Sequence, residues 1–340
     1  MKVLITGSSG QIGTNLALRL LAEGHEIFGV DQRVNTWTDD FRYLLQDLSG
    51  QYPAFPDGIG GVPYPETDLV VHLAAHAKVH LLVAQPHRAL ENTMMTFNVL
   101  EYCRQRNLPL VFSSTREVYG DVHRFEGYSE ATADFAFTES PYSASKIASE
   151  AFIYAYARCY GLKYLAFRFS NVYGRYDNDL HRMSRVLPLF IHSMSRDEPI
   201  TVYGGADKVL DFTYIDDCVD GISRGIEALA SGRVTNETIN LAFGEGNTLV
   251  RAAELIAAEL DVAPKMTIAP SLLGEVTRYV ADIRKARDLL GWEPQVPLNE
   301  GIPRAVAWFQ EHRTGNPDEN RPVANEGDSV GWKTVASGAG

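Results

Sequence analysis

An open, doubly wound parallel α/β sheet with a smaller C-terminal substrate lobe is the fold class this 340-residue sequence predicts. Three observations point to it. Short apolar runs alternate with amphipathic helical stretches through the first half of the chain. The first apolar run enters a glycine-rich turn that opens a helix. Past about Asn171 the alternation loosens, as it does where a second lobe begins.

Residues 3–5 read as a short buried strand. Gly7-Ser8-Ser9-Gly10-Gln11-Ile12-Gly13 turns the chain. Residues 14–22 read as a helix, with Ile12, Leu16, Leu20 and Leu21 near helical spacing and Gly24 as its C-cap. Residues 26–30 form the next strand and end at Asp31, completing a βαβ unit of about 30 residues. Residues 32–66 hold Gly58, Gly60, Gly61 and four prolines and read as an irregular connection. A third strand is expected over 68–74, a long helix over 86–106 and a fourth strand over 108–113. Another long helix follows over 141–160, then a fifth strand over 162–169. Beyond these, a helix near 183–196, a strand at 200–203 and helices near 217–230, 249–260 and 283–290 are expected. Residues 316–340 read as a mobile tail carrying Trp332. The division is a dinucleotide-binding domain over 1–175, with segments returning from the C-terminal half, a substrate lobe over 176–315, and the tail.

Composition narrows the function. Hydrophobic residues at 45% and charged residues at 22% describe an ordinary globular chain. A net charge of −12 argues against nucleic acid and against anionic membrane surfaces as partners. No apolar run reaches the length of a membrane span, and the run after Met1 is too short for a signal peptide. Cys103, Cys159 and Cys218 are odd in number and lack metal-ligand spacing. Reduced thiols in the cytoplasm and no metal are expected.

The turn carries the first chemical signal. Gly7, Gly10 and Gly13 give GxxGxxG directly after a strand, the arrangement of a Rossmann-type phosphate turn. The helix that follows offers free N–H groups to a pyrophosphate. Asp31, at the end of the next strand, suits ribose hydroxyls and repels a 2′-phosphate, so NAD is expected over NADP; Arg33 beside it weighs the other way.

Tyr142 and Lys146 carry the second signal. At i and i+4 they share one helical face, and an ammonium there would lower the phenol pKa toward that of a useful base. Their helix follows the fourth strand, where an open parallel sheet places its ligands. Ser114 or Thr115, at the end of that strand, is placed to bond the reacting oxygen, strand-end capping being the bland alternative. His181, Arg175, Arg182 and Arg185 cluster where the chain enters the second lobe and suit a carboxylate or diphosphate, if they are not a solvated face.

The segments TGSSGQIG, Asp47-Leu48, HLAA, Asn92, SSTREVYG, PYSASK, RFSNVYG, DFTYIDD and LGWEP occur in that order. The ordered set, over about residues 1–312, resembles the extended short-chain dehydrogenase/reductase family of NAD-dependent nucleotide-sugar epimerases, dehydratases and decarboxylases. The resemblance implies that Tyr142 is the base, Lys146 its partner and Thr115 the hydroxyl on the sugar 4-oxygen. It places Gly7, Gly10, Gln11, Ile12, Gly13, Asp31, Asp47, Leu48, Leu73, Ala74, Ala75, Asn92 and Ser113 against the cofactor. Asn171, Arg175, Arg182, Arg185, Tyr203, Lys208 and Arg278 are the expected substrate contacts. Two positions where the family carries a diphosphate-binding arginine hold Leu210 and Leu272 here. Lys208, Arg278, Arg182 and Arg185 are the residues left to compensate.

The resemblance also implies transient oxidation at C4 and return of the hydride, with a 4-epimerase as the first reading. Arg116-Glu117 stands where 4,6-dehydratases carry Asp-Glu. Loss of the acid disfavours ordinary dehydration, while Glu117 keeps a decarboxylase or an unusual dehydratase in view. A salt bridge to a neighbouring cation is the bland reading of Glu117. A non-catalytic NAD sensor or scaffold is a third reading, disfavoured because both Tyr142 and Lys146 are present. Family members often dimerise through two long helices. Met94, Met95, Phe97, Phe152 and Tyr156 are therefore either homodimer interface or core.

Overall fold

In the computed structural model, which describes residues 1–50, 65–121, 127–177 and 185–312, side chains alternate along the first strand. In β1 (Lys2–Thr6), Val3 and Ile5 enter one apolar core and Leu4 enters another. The chain continues through α1 (Gln11–Ala22), β2 (Glu26–Asp31), β3 (Arg42–Leu45), β4 (Leu69–His72), α2 (Val79–Ala84) and α3 (His87–Arg106). Next come β5 (Leu110–Thr115), a 3-10 turn over Arg116–Tyr119, α4 (Pro141–Tyr160), β6 (Tyr164–Phe169), β7 (Asn171–Tyr173) and α5 (Val186–Met194). The remainder is β8 (Ile200–Tyr203), β9 (Val209–Tyr214), α6 (Ile215–Ala230), β10 (Glu237–Leu241), β11 (Gly246–Thr248), α7 (Leu249–Leu260), β12 (Met266–Ala269), α8 (Arg284–Leu290) and α9 (Leu298–Glu311).

The main sheet has the order β10-β6-β5-β4-β1-β2-β3, parallel throughout. The strand order reverses between β1 and β4, and a ligand crevice opens at such a point, at the carboxyl ends of the strands. Leu16 and Leu20 of α1 and Ile222 and Ile226 of α6 join the core on one face. Leu100 and Cys103 of α3 and Ile153 and Tyr156 of α4 join the core on the other. The smaller lobe carries the β11-β9-β7 sheet and the β12-β8 pair. Trp292 is fully buried where its indole N–H reaches the Asp217 carbonyl at 3.1 Å.

The start of α4 fixes where the Tyr–Lys pair falls. The Ser140 side chain caps the Ser143 N–H, Ser143 returns the bond to the Ser140 N–H, and Pro141 occupies the first turn. That cap sets Tyr142 in the first turn and Lys146 one turn later.

Several expectations need correction. β3 lies inside the stretch expected to be irregular, and α2 precedes the first long helix. The helix expected from 183 begins at Val186, and Gly24 stands one position beyond the C-cap, Glu23. β9, β10, β12 and α9 add to the expected elements. β10 hides Thr238 and Asn240 among its buried residues, so it reads as polar, and Pro303 inside α9 reads as a breaker. Gly58, Gly60, Gly61, His181, Arg182, the expected tail and Trp332 lie outside the described residues.

Candidate active site

The glycine turn is packed hard on two sides and open on the third. A Cβ on Gly7, whose φ is +74°, would stand 2.7 Å from the Ala74 nitrogen, and one on Gly13 would stand 2.2 Å from the Gly7 carbonyl oxygen. At Gly10 a Cβ would meet only the Gly7 carbonyl oxygen, at 3.3 Å. Gly10 is the N-cap of α1 and offers no side chain, and the first turn carries no acidic residue. Uncapped N–H groups at the crevice make this end of α1 ready for an anion. Buried Gln11 adds an amide nitrogen with no hydrogen-bond partner among the described residues.

Asp31 ends β2 beside the glycine turn. Its carboxylate accepts the Ser9 N–H at 2.9 Å and the Arg33 N–H at 3.0 Å, with the Arg33 guanidinium 3.8 Å away. Burial pushes its pKa up and the Arg33 charge pulls it back. Asp47 accepts both donors of Ser49, and Leu48 is buried. Leu73, Ala74 and Ala75 follow β4, with the Ala74 N–H 3.3 Å from the Thr6 hydroxyl. Open backbone at Gly10, an uncapped helix and a buried carboxylate at the end of β2 together fit NAD.

Tyr142 is buried, and the Thr115 side chain at the end of β5 is among the groups that act to lower its pKa. The Thr115 oxygen also accepts the Glu117 N–H at 3.3 Å. Burial, then the Glu117 charge, pushes the phenol up to about 12, with Arg185 and Arg116 opposing. Lys146 donates to the Ser113 carbonyl at 2.7 Å, with its Nζ 4.8 Å from the Phe112 ring centroid. Burial lowers its pKa to about 7 and Glu150 resists. Burial therefore outweighs the cations that act on the phenol. Tyr142 holds its proton, and the Lys146 charge is itself weakened.

Glu117 is buried beside this group. One oxygen lies 3.0 Å from the Arg116 guanidinium, so the salt bridge is real. The other oxygen has no hydrogen-bond partner among the described residues. Burial pushes its pKa up, against Arg116.

Other expected site residues are engaged elsewhere. The Ser114 hydroxyl donates to Glu150 at 2.5 Å, because its parity along β5 matches Phe112 and turns it toward α4. Asn92 grips His76 N–H and C=O and reaches Ser145, so it shapes the loop after β4 from behind. Arg175 pairs with Asp216 on an exposed surface. Tyr203 is exposed at the end of β8. Lys208 is buried against Glu275 at 2.7 Å. Asn171 donates to the Asp211 carbonyl at 2.9 Å. Arg278 is exposed, its N–H 3.3 Å from Asp121. Leu210 is a core residue of β9, so no charge stands at that place. Arg185 lies on Gln11 and 3.1 Å from Asp177.

Sequence reasoning missed the support behind Lys146. Glu150, one turn on, accepts Ser114, Tyr154 and two guanidinium nitrogens of Arg168, all buried or half-buried. An arginine inside the apolar run of β6 was the available signal, since a buried charge needs a partner.

Comparison with known proteins agrees with this geometry. Residues 3–242 match the model of the NAD dependent epimerase/dehydratase family. UDP-glucuronic acid decarboxylase 1 of Danio rerio is 29% identical over 338 residues, covering 95% of this chain and 77% of that protein. UDP-glucose 4-epimerase of Thermotoga maritima, solved with UDP-glucose, superposes with a TM-score of 0.84 at 28% identity, covering 92% of this chain and 100% of that one. UDP-glucose 4-epimerase of Thermus thermophilus, solved with NAD, gives 0.79 at 29% identity, covering 91% and 99%. With more than half its length matched, this chain belongs to the NAD-dependent epimerase/dehydratase family of enzymes.

Proposed function

We propose that the enzyme is a nucleotide-sugar 4-epimerase acting on a UDP-hexose or UDP-hexuronate through a transient 4-keto sugar. The placement of buried Tyr142 one turn before Lys146, itself fixed on the Ser113 carbonyl at the carboxyl end of β5, carries this reading. NAD, held over the glycine turn with Asp31 at its ribose, would supply the hydride chemistry at C4 of the sugar. The chain's own part is proton handling and position. Tyr142 takes the proton of the 4-hydroxyl and returns it. Thr115 steadies that oxygen, and Lys146, fixed on the Ser113 carbonyl, holds a charge that burial leaves easily changed. Burial around Tyr142 keeps water from the exchange.

A specific observation supports a second reading. One oxygen of Glu117 is buried without a hydrogen-bond partner among the described residues and its charge acts on Tyr142, as suits the acid or base that a decarboxylase or dehydratase needs. Products separate the two. Epimerisation conserves mass, whereas decarboxylation loses carbon dioxide and dehydration loses water. Mass spectrometry after incubation with UDP-, dTDP- and GDP-sugars is the test, and unchanged mass with a new C4 epimer is expected. Turnover that releases NADH to solution would exclude both.

Leu90, Met94 and Phe152 stay exposed on α3 and α4, which supports a homodimer built on these helices. Met95 and Tyr156 are core instead. Three unpaired cysteines support work in the cytoplasm.

A further inference from the structure

We propose that Arg185, carried by the second lobe, clamps the pyrophosphate of the dinucleotide against the glycine turn. This moves it from the substrate contacts to the cofactor contacts, and it rests on the NAD crevice described above. Arg185 is the residue that leads into α5, yet its guanidinium donates to the Gln11 side-chain oxygen, at the first residue of α1. The same Nη1 stands 3.1 Å from Asp177, and about a third of the side chain remains exposed.

Three features make this an anion site rather than a chance contact. The N-terminus of α1 is uncapped and without acidic residues over its first turn. Buried Gln11, its oxygen taken by Arg185, is left with an amide nitrogen that has no partner among the described residues. Arg185 also lies within electrostatic reach of Tyr142. One guanidinium therefore connects the phosphate turn to the reacting end, the stretch that a dinucleotide's pyrophosphate must cross. A phosphate oxygen there would share Arg185 with Asp177 and find helix N–H groups beyond it. Guanidinium bonds to phosphate are strong because they are charge-assisted and matched in geometry.

Binding without any sugar tests this. Affinities of NAD, ADP-ribose and adenosine are measured by calorimetry for wild type, Arg185→Gln, Arg185→Lys and Gln11→Leu. Arg185→Gln should weaken NAD and ADP-ribose by about 10- to 100-fold, as loss of a charged hydrogen bond does. Adenosine, which has no phosphate, should bind as before. Lysine should restore part of the loss, and raised salt should shrink the gap between wild type and Arg185→Gln. Gln11→Leu, which keeps Arg185, should weaken NAD less and keep the salt effect. Unchanged NAD and ADP-ribose affinities in folded Arg185→Gln would overturn the proposal. Should Arg185→Gln not fold, Arg185→Lys binding NAD and ADP-ribose as wild type at every salt concentration overturns it. Because no sugar is present, an error about the reaction leaves these results untouched.

Discussion

Burial makes a phenol give up its proton reluctantly, the more so where a carboxylate's charge acts on it, and Tyr142 is such a phenol, held at about 12. Two results follow at this scale. Tyr142→Phe should lose turnover by at least about 100-fold, the usual worth of a positioned base, while NAD binding is retained. Steady-state kinetics with NAD calorimetry checks it. Glu117→Gln removes the nearby charge that raises the phenol. The limb of the pH–kcat profile that rises with Tyr142 deprotonation should then move to lower pH. Lys146 gives a sign in stability. Its folded pKa, about 7, lies below its ordinary 10.5. Between those values the unfolded chain binds more protons, so this group's stabilising contribution grows as pH rises from 7 and is lost as pH falls through 7. Urea midpoints of the cofactor-free protein at pH 7 and 9 should rise more for wild type than for Lys146→Met.

β5 and α4 are joined by charge as much as by apolar packing. Ser114 reaches from the strand to Glu150 on the helix, and Arg168 of β6 neutralises that carboxylate. Arg168→Met should cost about 3–5 kcal/mol, because Glu150 is left buried without its partner. Chemical denaturation measures it, and a loss under about 1 kcal/mol would contradict the account. The same elements show what the sequence could disclose. Neighbouring residues on a strand face opposite ways, so only one of Ser114 and Thr115 can face the crevice. The sequence does not say which, because parity is set by the packing of Phe112 against α3 and α4. The positions of the glycine turn, Asp31 and Tyr142 in the fold were legible because each sits where an element begins or ends. The intramolecular partners of Asn92 and Arg175, His76 and Asp216, could not be read from the sequence because they lie far off along the chain. β10 and α9 were hidden by buried polar residues and by Pro303.

Across the whole molecule, the chain leaves the main sheet after β6 for the two small sheets and returns to it through β10, which pairs with β6. Trp37, from the segment after β2, packs edge-on against Trp308 of α9 at 5.3 Å. The outer face of α3 and α4 belongs to this scale too. Leu90→Glu with Phe152→Glu should convert a dimer to a monomer in light scattering, and a wild-type monomer would end that reading. The central claim is that a hydride leaves C4 of a bound sugar and returns within one cycle. Deuterium placed at C4 of UDP-glucose and UDP-glucuronate tests it most directly. The account predicts that the product keeps the label and that no NADH accumulates. Label lost to free NADH or to solvent, with Tyr142 intact, would contradict it.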